Sequence, residues 1–558
     1  MKKTLFLSCT LIMAAGTYLH AQTPAVKKAA QSVFTLTTFN KSGDIQGTTK
    51  GVFIAGGEAL AMWHPFVGAD SAVVIDSKGT VHEVDALLGA NDIYDICRFR
   101  VKGKTASAAI APHPVAADGR LWLVDYSIKK PSARLLPIAS TETFMDSCSY
   151  YLFNDTDVSA SDLGCPLVND LGQVMGIMQR PKNGGRAYSA DSRLSATFRL
   201  TGLSINDNLL RKSGIRTALP ASPSDATLTL MLASQRGNSA LYTAYIDEFI
   251  AAFPTLPDGY TAKAQHDMEA GRYAEAARCM ETAIRNAERK DEAHSNYSKL
   301  IYQKMIYHTD STFKEWSLDK ALEEAQTAYT IRPLPVYRHQ EAQITYSKGD
   351  YGKAYHLFMS LAHTDMRSGE LFFEAAQCRQ RLNAPADSVI ALLDSAVAAQ
   401  QAIGNAAPYI LERGHAYYRA DRLRNAFVDY CAYDSLMGGR ASHSFYYLKF
   451  QLENKMRLYQ QALQDIAHAI VLNRNEPTYY AEMASLQLRV GQTDLALQTT
   501  DLALRLTDSY PDIHIIRGIA FGEKGEKKKC LEALAKAKEL GDERADKLME
   551  KYGVGVNK

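Results

Sequence analysis

The sequence predicts a multidomain β + α protein: a β-rich N-terminal region followed by an all-α repeat array. Three observations carry this. At 558 residues the chain is too long for one core. Between residue 30 and about 200, short runs rich in β-branched and aromatic residues (SVFTLTTF, GVFIA, SAVVI, VHEVDALL, DICRFRV, LWLVDY, SYYLF) alternate with turn residues. Beyond residue 226 the pattern is helical almost to the end and repeats. A hydrophobic fraction of 46% with 22% charged residues is that of a folded, soluble chain.

Residues 1–21 read as an export signal: Lys2 and Lys3 open it, residues 4–18 form a short apolar run, and Ala21 before Gln22 offers a cleavage point. Leu19 departs from the small residue preferred three positions before the cut. The run falls short of the ~20 residues a spanning helix needs, and Cys9 sits too early for a lipoprotein cysteine. The expectation is an exported bacterial protein, periplasmic or extracellular/cell-surface, with no membrane span. Removing 1–21 takes two lysines and no acids from 63 basic and 61 acidic residues, leaving 61 of each. A neutral mature chain has no field to attract nucleic acid or anionic lipid. Seven remaining cysteines, odd in number and without close pairing, argue against a disulfide framework and a zinc site. No metal, cofactor or phosphate-loop motif is present.

Residues 22–205 are expected as the β domain, 206–226 (polar and turn-forming, including SGIRTALPASPSD) as a linker, and 227–558 as the helical array. In the array, positions seven apart carry small residues: Ala276/Ala283, Ala321/Ala328, Val389/Ala396, Ala462/Ala469, Ala496/Ala503 and Cys530/Ala537. Ala354/Leu361 and Ala426/Tyr433 fit with a larger second residue. Successive first anchors lie 45, 33, 35, 37, 36, 34 and 34 residues apart. Residues seven apart share a helix face, and small side chains there let neighbouring helices approach closely. Turns GRYAEA and GDYGKA, Pro333, Gly414 and Gly518 add to the pattern. This register resembles the tetratricopeptide repeat, in about eight units; the 45-residue gap near Trp316 calls for an insertion or a longer helix. A generic alanine-rich bundle is the alternative.

The β region resembles the trypsin-like peptidases, in particular the HtrA-like branch, through three weak motifs in the right order. GVFIAGGEALAMWHPFVGA is similar to the entry strand and histidine segment, which would make His64 the general base. VHEVDALLGANDIYDICRFRV would place Asp95 as its orienting partner. SDLGCPLVNDLGQVMGI is similar to the serine loop and following strand. The resemblance implies a trypsin-like double β-barrel.

Anchoring that loop on Pro166, Leu167, Val168 and Asn169 puts Leu163 where the family has its nucleophilic serine, Ser161 at the oxyanion-hole glycine, and Cys165 at the second following glycine. Leucine has no atom that can attack a carbonyl. The expectation is a pseudopeptidase, with His64 and Asp95 kept as a structural pair. Ser161 or Ser159 would serve only after a register shift, and Cys165 would attack from two residues downstream.

Tetratricopeptide arrays bind peptides along their first helices, so the resemblance implies protein or peptide partners. Its register projects His339, Gln343, Tyr346, His415, Tyr418, Tyr447, Gln451 and Asn454 onto that groove. Nothing in the sequence resembles a paired lysine–arginine clamp for a terminal carboxylate. Two functions compete: a scaffold with an inactive barrel, or an active serine- or cysteine-dependent endopeptidase whose repeats present substrate.

Overall fold

The computed structural model describes residues 22–553 apart from 117–118, 128–129, 145–147, 182–184, 309–311 and 401. The expected signal segment 1–21 lies outside the described residues. Internal contacts divide the chain into two units, Met1–Arg289 and Lys290–Lys558. No helix among the described residues is long and apolar enough to cross a membrane.

The first unit opens on a short helix, α1 (Pro24–Ala30), started by the Thr23 side chain accepting from the Val26 N–H. Six strands follow: β1 (Val33–Phe39), β2 (Ile45–Phe53), β3 (Glu58–Ala61), β4 (Ser71–Ile75), β5 (Val81–Asn91) and β6 (Ile96–Val101). They close into a barrel in the order β1-β2-β3-β6-β5-β4, all neighbours antiparallel. Inward residues alternate along β1 and β6, and Phe34, Leu36, Phe53, Phe66, Val74 and Phe99 fill the interior. Gly51 is required here: a Cβ on it would stand 2.5 Å from both the Phe34 ring and the Leu60 carbonyl.

A second set of strands comprises β7 (Arg120–Ser127), β8 (Lys130–Pro137), β9 (Ser140–Phe144), β10 (Cys148–Leu152), β11 (Pro166–Val168), β12 (Val174–Ile177) and β13 (Tyr188–Ala190). They form two sheets, β12-β11-β7-β8 and β13-β10-β9, stitched by single bridges at Gly176–Asp191 and Gln179–Tyr188. Leu121, Leu136, Tyr151, Phe153, Leu167 and Met178 pack between them.

The stretch expected as a linker, 206–226, is packed instead. Leu210 and Ile215 join the barrel core. β5 changes register around Leu87 and Gly89. There the Leu87 N–H donates to the Arg216 carbonyl and the Ala218 N–H to the Leu87 carbonyl, both at 2.8 Å. A few anchors hold a segment whose average composition is polar, which composition alone does not register. It leads into α2 (Pro223–Ser234), α3 (Ser239–Ala252), α4 (Pro257–Glu269) and α5 (Tyr273–Asn286), all in the first unit.

The elements of the second unit among the described residues are helices: α6 (Lys290–Tyr307), α7 (Leu318–Ile331), α8 (Pro335–Ser347), α9 (Tyr351–Ser360), α10 (Gly369–Arg381), α11 (Ala386–Ala398), α12 (Ala407–Arg419), α13 (Leu423–Met437), α14 (His443–Lys455), α15 (Tyr459–Leu472), α16 (Pro477–Arg489), α17 (Thr493–Leu504), α18 (Pro511–Glu523), α19 (Lys527–Glu539) and α20 (Arg544–Gly553). Every first anchor of the sequence repeat is buried on the second helix of a hairpin, from Ala276 on α5 to Cys530 on α19. Seven of the eight first helices, all but α6, end alike. Gly271, Gly349, Asn383, Asp421, Arg457, Gly491 and Gly525 all take positive φ. The next N–H then donates back five residues, as in Arg272 to Asp267 and Leu458 to Glu453, both at 2.8 Å. The long gap in the repeat holds the 18-residue α6 and a loop anchored by buried Trp316, whose indole N–H donates to the Tyr297 hydroxyl at 3.1 Å.

Candidate functional site

His64 opens a single helical turn, His64–Phe66, just beyond β3, and Asp95 sits in the turn between β5 and β6. The two are brought together. His64 Nδ1 lies 2.7 Å from Asp95 Oδ2, and the His64 backbone N–H donates to Asp95 Oδ1, also at 2.7 Å. Asp95 adopts φ 47°, a left-handed conformation that costs most non-glycine residues about 1–2 kcal/mol. Three groups hold it there: the His64 amide, the Gln179 side-chain N–H on its carbonyl at 2.8 Å, and the Trp63 N–H on the same carbonyl at 3.3 Å. The imidazole is therefore oriented by a carboxylate, with its ring 44% exposed at a cleft of about 710 Å³.

Leu163 and Ser161 line the same cleft. The loop before β11 forms a helical turn at Ala160–Asp162, capped by Ser159, whose N–H and hydroxyl both donate to the Asp162 carboxylate at 2.7 and 2.9 Å. Arg134 reaches the same carboxylate at 2.6 Å. Burial works against this carboxylate's charge, but these donors hold it below its ordinary range. In this turn the Leu163 N–H points back at the Ala160 carbonyl, at 3.4 Å. An amide committed to a neighbouring carbonyl is not aimed at an oxyanion in the cleft. The Leu163 side chain packs against the core of the second strand set.

The other side chains with nucleophilic atoms are placed as follows. Ser161 Oγ is exposed and 2.9 Å from Ser159 Oγ. Cys165 is fully buried, with Sγ 3.9 Å from the Ser161 carbonyl. Burial, with the negative field of Asp125, pushes its thiol up to about 12 despite nearby Lys50, so it stays protonated at neutral pH. Lys50 pairs with Asp125 at 2.6 Å. Gln179, Arg134 and Lys50 escaped the sequence reading because their roles depend on partners 28 to 84 residues away. Asp162, inside the quoted loop, was the one legible member.

Gly164 fixes the loop against the first barrel. Its φ is 83°, and a Cβ would stand 2.5 Å from Thr49 Oγ1 and 2.8 Å from the Lys50 backbone. Gly164→Ala is expected to cost about 2 kcal/mol or more, read as a lower unfolding midpoint of the full chain. An unchanged midpoint would show that the loop is not held there.

In the helical unit the groove candidates are mostly engaged with one another's neighbours. His339 Nε2 stands 2.5 Å from Glu374, and Gln343 donates to the same carboxylate at 2.8 Å. Tyr346 stacks edge-on with Tyr351 and accepts from Arg381 at 3.4 Å. His415 approaches Glu412 at 3.4 Å and the Tyr430 ring. Lys455 Nζ lies 5.5 Å over Tyr418. Tyr447 packs on Tyr479, with its hydroxyl near Gln451, and Asn454 accepts from Arg489 at 3.1 Å. Glu374, Arg381 and Arg489 each lie 35 residues beyond a candidate (His339, Tyr346, Asn454). One repeat length was the signal that could have found them.

These features define a class: a closed β-barrel domain with a carboxylate-oriented histidine at its cleft, followed by a helical array. Solved structures similar to this chain include two proteases. One is the serine endoprotease of Yersinia pestis, at 20% identity over 34% of this chain and 65% of that one, with a TM-score of 0.26. Another is the active form of a protease from M. tuberculosis, at 15% identity over 39% of this chain and 96% of that one, with a TM-score of 0.28. No protein-family model and no curated protein sequence matches the chain.

Proposed function

We propose that the chain is an exported protein-binding scaffold that couples a trypsin-like domain without peptidase activity to a tetratricopeptide-type array. The observation that supports this best is Leu163: an aliphatic side chain stands in the loop opposite the His64–Asp95 pair, and its amide is turned back onto Ala160. A histidine oriented by a carboxylate does nothing for acyl transfer without a nucleophile to deprotonate and donors for the oxyanion. The pair retains a structural use, tying the β5–β6 turn to the start of the His64 turn and, through Gln179, to the second strand set. Export rests on residues 1–21, and binding of protein or peptide rests on the eight registered hairpins.

The test is direct. Purified protein incubated with a fluorophosphonate probe is expected to remain unlabelled, to leave casein intact, and to behave identically after His64→Ala. Cleavage that disappears with His64→Ala would overturn this reading. Loss on Ser161→Ala would then identify the exposed serine as the nucleophile.

A further inference from the structure

On the helical unit several exposed cations are matched by acids: Lys348 by Asp319, Arg422 by Asp387, Lys455 by Asp421 and Lys524 by Asp494. Others, such as Arg424, Lys527 and Lys528, have no acid partner among the described residues, and at one place two unmatched basic side chains line a hollow. Between the end of α7, the start of α8 and the length of α9 lies a depression of about 520 Å³. Three cationic or titratable basic side chains line it, Arg338, Lys353 and His356, and no carboxylate does. Lys353 and His356 are exposed and make no ion pair with any described residue. The floor is apolar, formed by Pro333 and Leu357 among others.

Arg338 is set in advance. Its guanidinium carbon lies 3.7 Å from the centroid of the Tyr329 ring, and Nη1 donates to buried Glu341 at 2.5 Å. Stacking and a buried partner together remove the rotamer freedom that a ligand would otherwise have to suppress. Basic side chains beside an apolar surface give a positive potential that an anion seated there would feel. The rim hydroxyls contribute little: Ser360 donates to the Leu357 carbonyl at 2.6 Å and Thr364 to the Leu361 carbonyl at 2.8 Å. Pro333 and Pro335 supply no N–H groups, so the entrance to α8 is not the amide cradle that free phosphate favours.

We infer that this depression docks an acidic peptide segment, with a carboxylate side chain on Lys353 and His356 and an adjacent apolar side chain on the Pro333–Leu357 floor. This rests on the reading of the array as a protein-binding surface and names both the site and the chemistry of its partner. It moves binding away from the first-helix candidates, many of whose polar ends already hold partners from the next hairpin.

The experiment measures fluorescence anisotropy of a labelled peptide of alternating glutamate and leucine on the full chain, with a lysine–leucine peptide as control. The acidic peptide is expected to bind, to weaken between about 0.05 and 0.5 M salt, and to lose about tenfold or more in affinity on Lys353→Glu or His356→Glu. The lysine peptide is expected to gain on the same substitutions. Both positions are exposed, so the circular dichroism spectrum should not move; Arg338 is left intact because removing it would strand Glu341. No binding of the acidic peptide, or equal binding by parent and both variants, would overturn the site. A parent chain that cleaves nothing and captures partner protein, with capture unaffected by Lys353→Glu, would overturn this site while the scaffold reading stands.

Discussion

Arg216→Ala is expected to destabilise the barrel unit by about 2–3 kcal/mol and to open the 206–226 segment to trypsin. Arg216 bridges Asp85 at 2.8 Å and Glu248 at 2.5 Å, and Arg100 completes the ring by pairing with the same two acids at 2.6 and 2.7 Å. The side chains are between 14% and 32% exposed. Removing one member of a fully buried pair costs about 3–5 kcal/mol because its partner is left charged and dry; partial solvent access lowers the figure. The guanidinium also lies 5.4 Å over the Tyr245 ring, which would lose that contact. In the parent chain, the hydrogen bonds at Leu87 should protect Arg211, Lys212 and Arg216 itself from tryptic cleavage. In the variant, cleavage after Arg211 or Lys212 should appear before any cut inside the barrel. Equal protection and an equal unfolding midpoint would refute the assignment of this network as the clasp on α3. Burial alone would raise the Asp85 carboxyl, but Arg216 and Arg100 hold it below its ordinary 3.8. The contribution is therefore fully present above that value and is lost as pH falls through the depressed one.

Glu453→Gln is expected to stabilise the helical unit at alkaline pH, by on the order of 2 kcal/mol. Glu453 on α14 is fully buried; ionised, it would find no donor for either oxygen, whereas protonated it donates to a neighbouring carboxylate. Asp465 of α15 lies beside it. Lys449 of the same helix is engaged at 3.0 Å with both Asp465 and Asp434 of α13, and Cys431 of α13 borders the cluster. Burial, then the neighbouring Asp465, pushes Glu453 up to about 8 from the ordinary 4.5. A carboxyl raised by folding binds its proton more tightly when folded. Stability is thus highest below 4.5 and declines as pH rises from there to about 8, beyond which the dependence levels off. The amide is neutral throughout. Unfolding midpoints measured from pH 5 to 9 (a range of roughly four units around this window) should slope downward for the parent and lose much of that slope in the variant. Parallel curves would mean that Glu453 is ionised in the folded protein.

The repeat was the most legible part of the chain. Its signal is local: a small residue seven positions from another, recurring near every 34 residues, states which helix face must be buried, and all eight first anchors are buried. The His64–Asp95 pairing was legible as an order of motifs, though not as a geometry. That Asp95 adopts a left-handed conformation, or that Gln179 holds its carbonyl, depends on a segment 84 residues away. The 206–226 segment was misread because its folding depends on a register change in β5, more than 100 residues earlier. The array candidates lie on α8, α12 and α14, and several of their partners come from the next hairpin. The basic depression combines α7, α8 and α9, so no window of sequence displays it.

The sequence by itself determined the two-part β and α organisation and the helical register, because each is written in residue identity and short-range periodicity. Only the tertiary structure decided that the Leu163 amide turns back on Ala160, that Cys165 is a buried thiol, and that the supposed linker clasps the barrel. Those properties belong to hydrogen bonds and burial supplied by distant segments, and the energy of such contacts exists only once the chain has closed on itself.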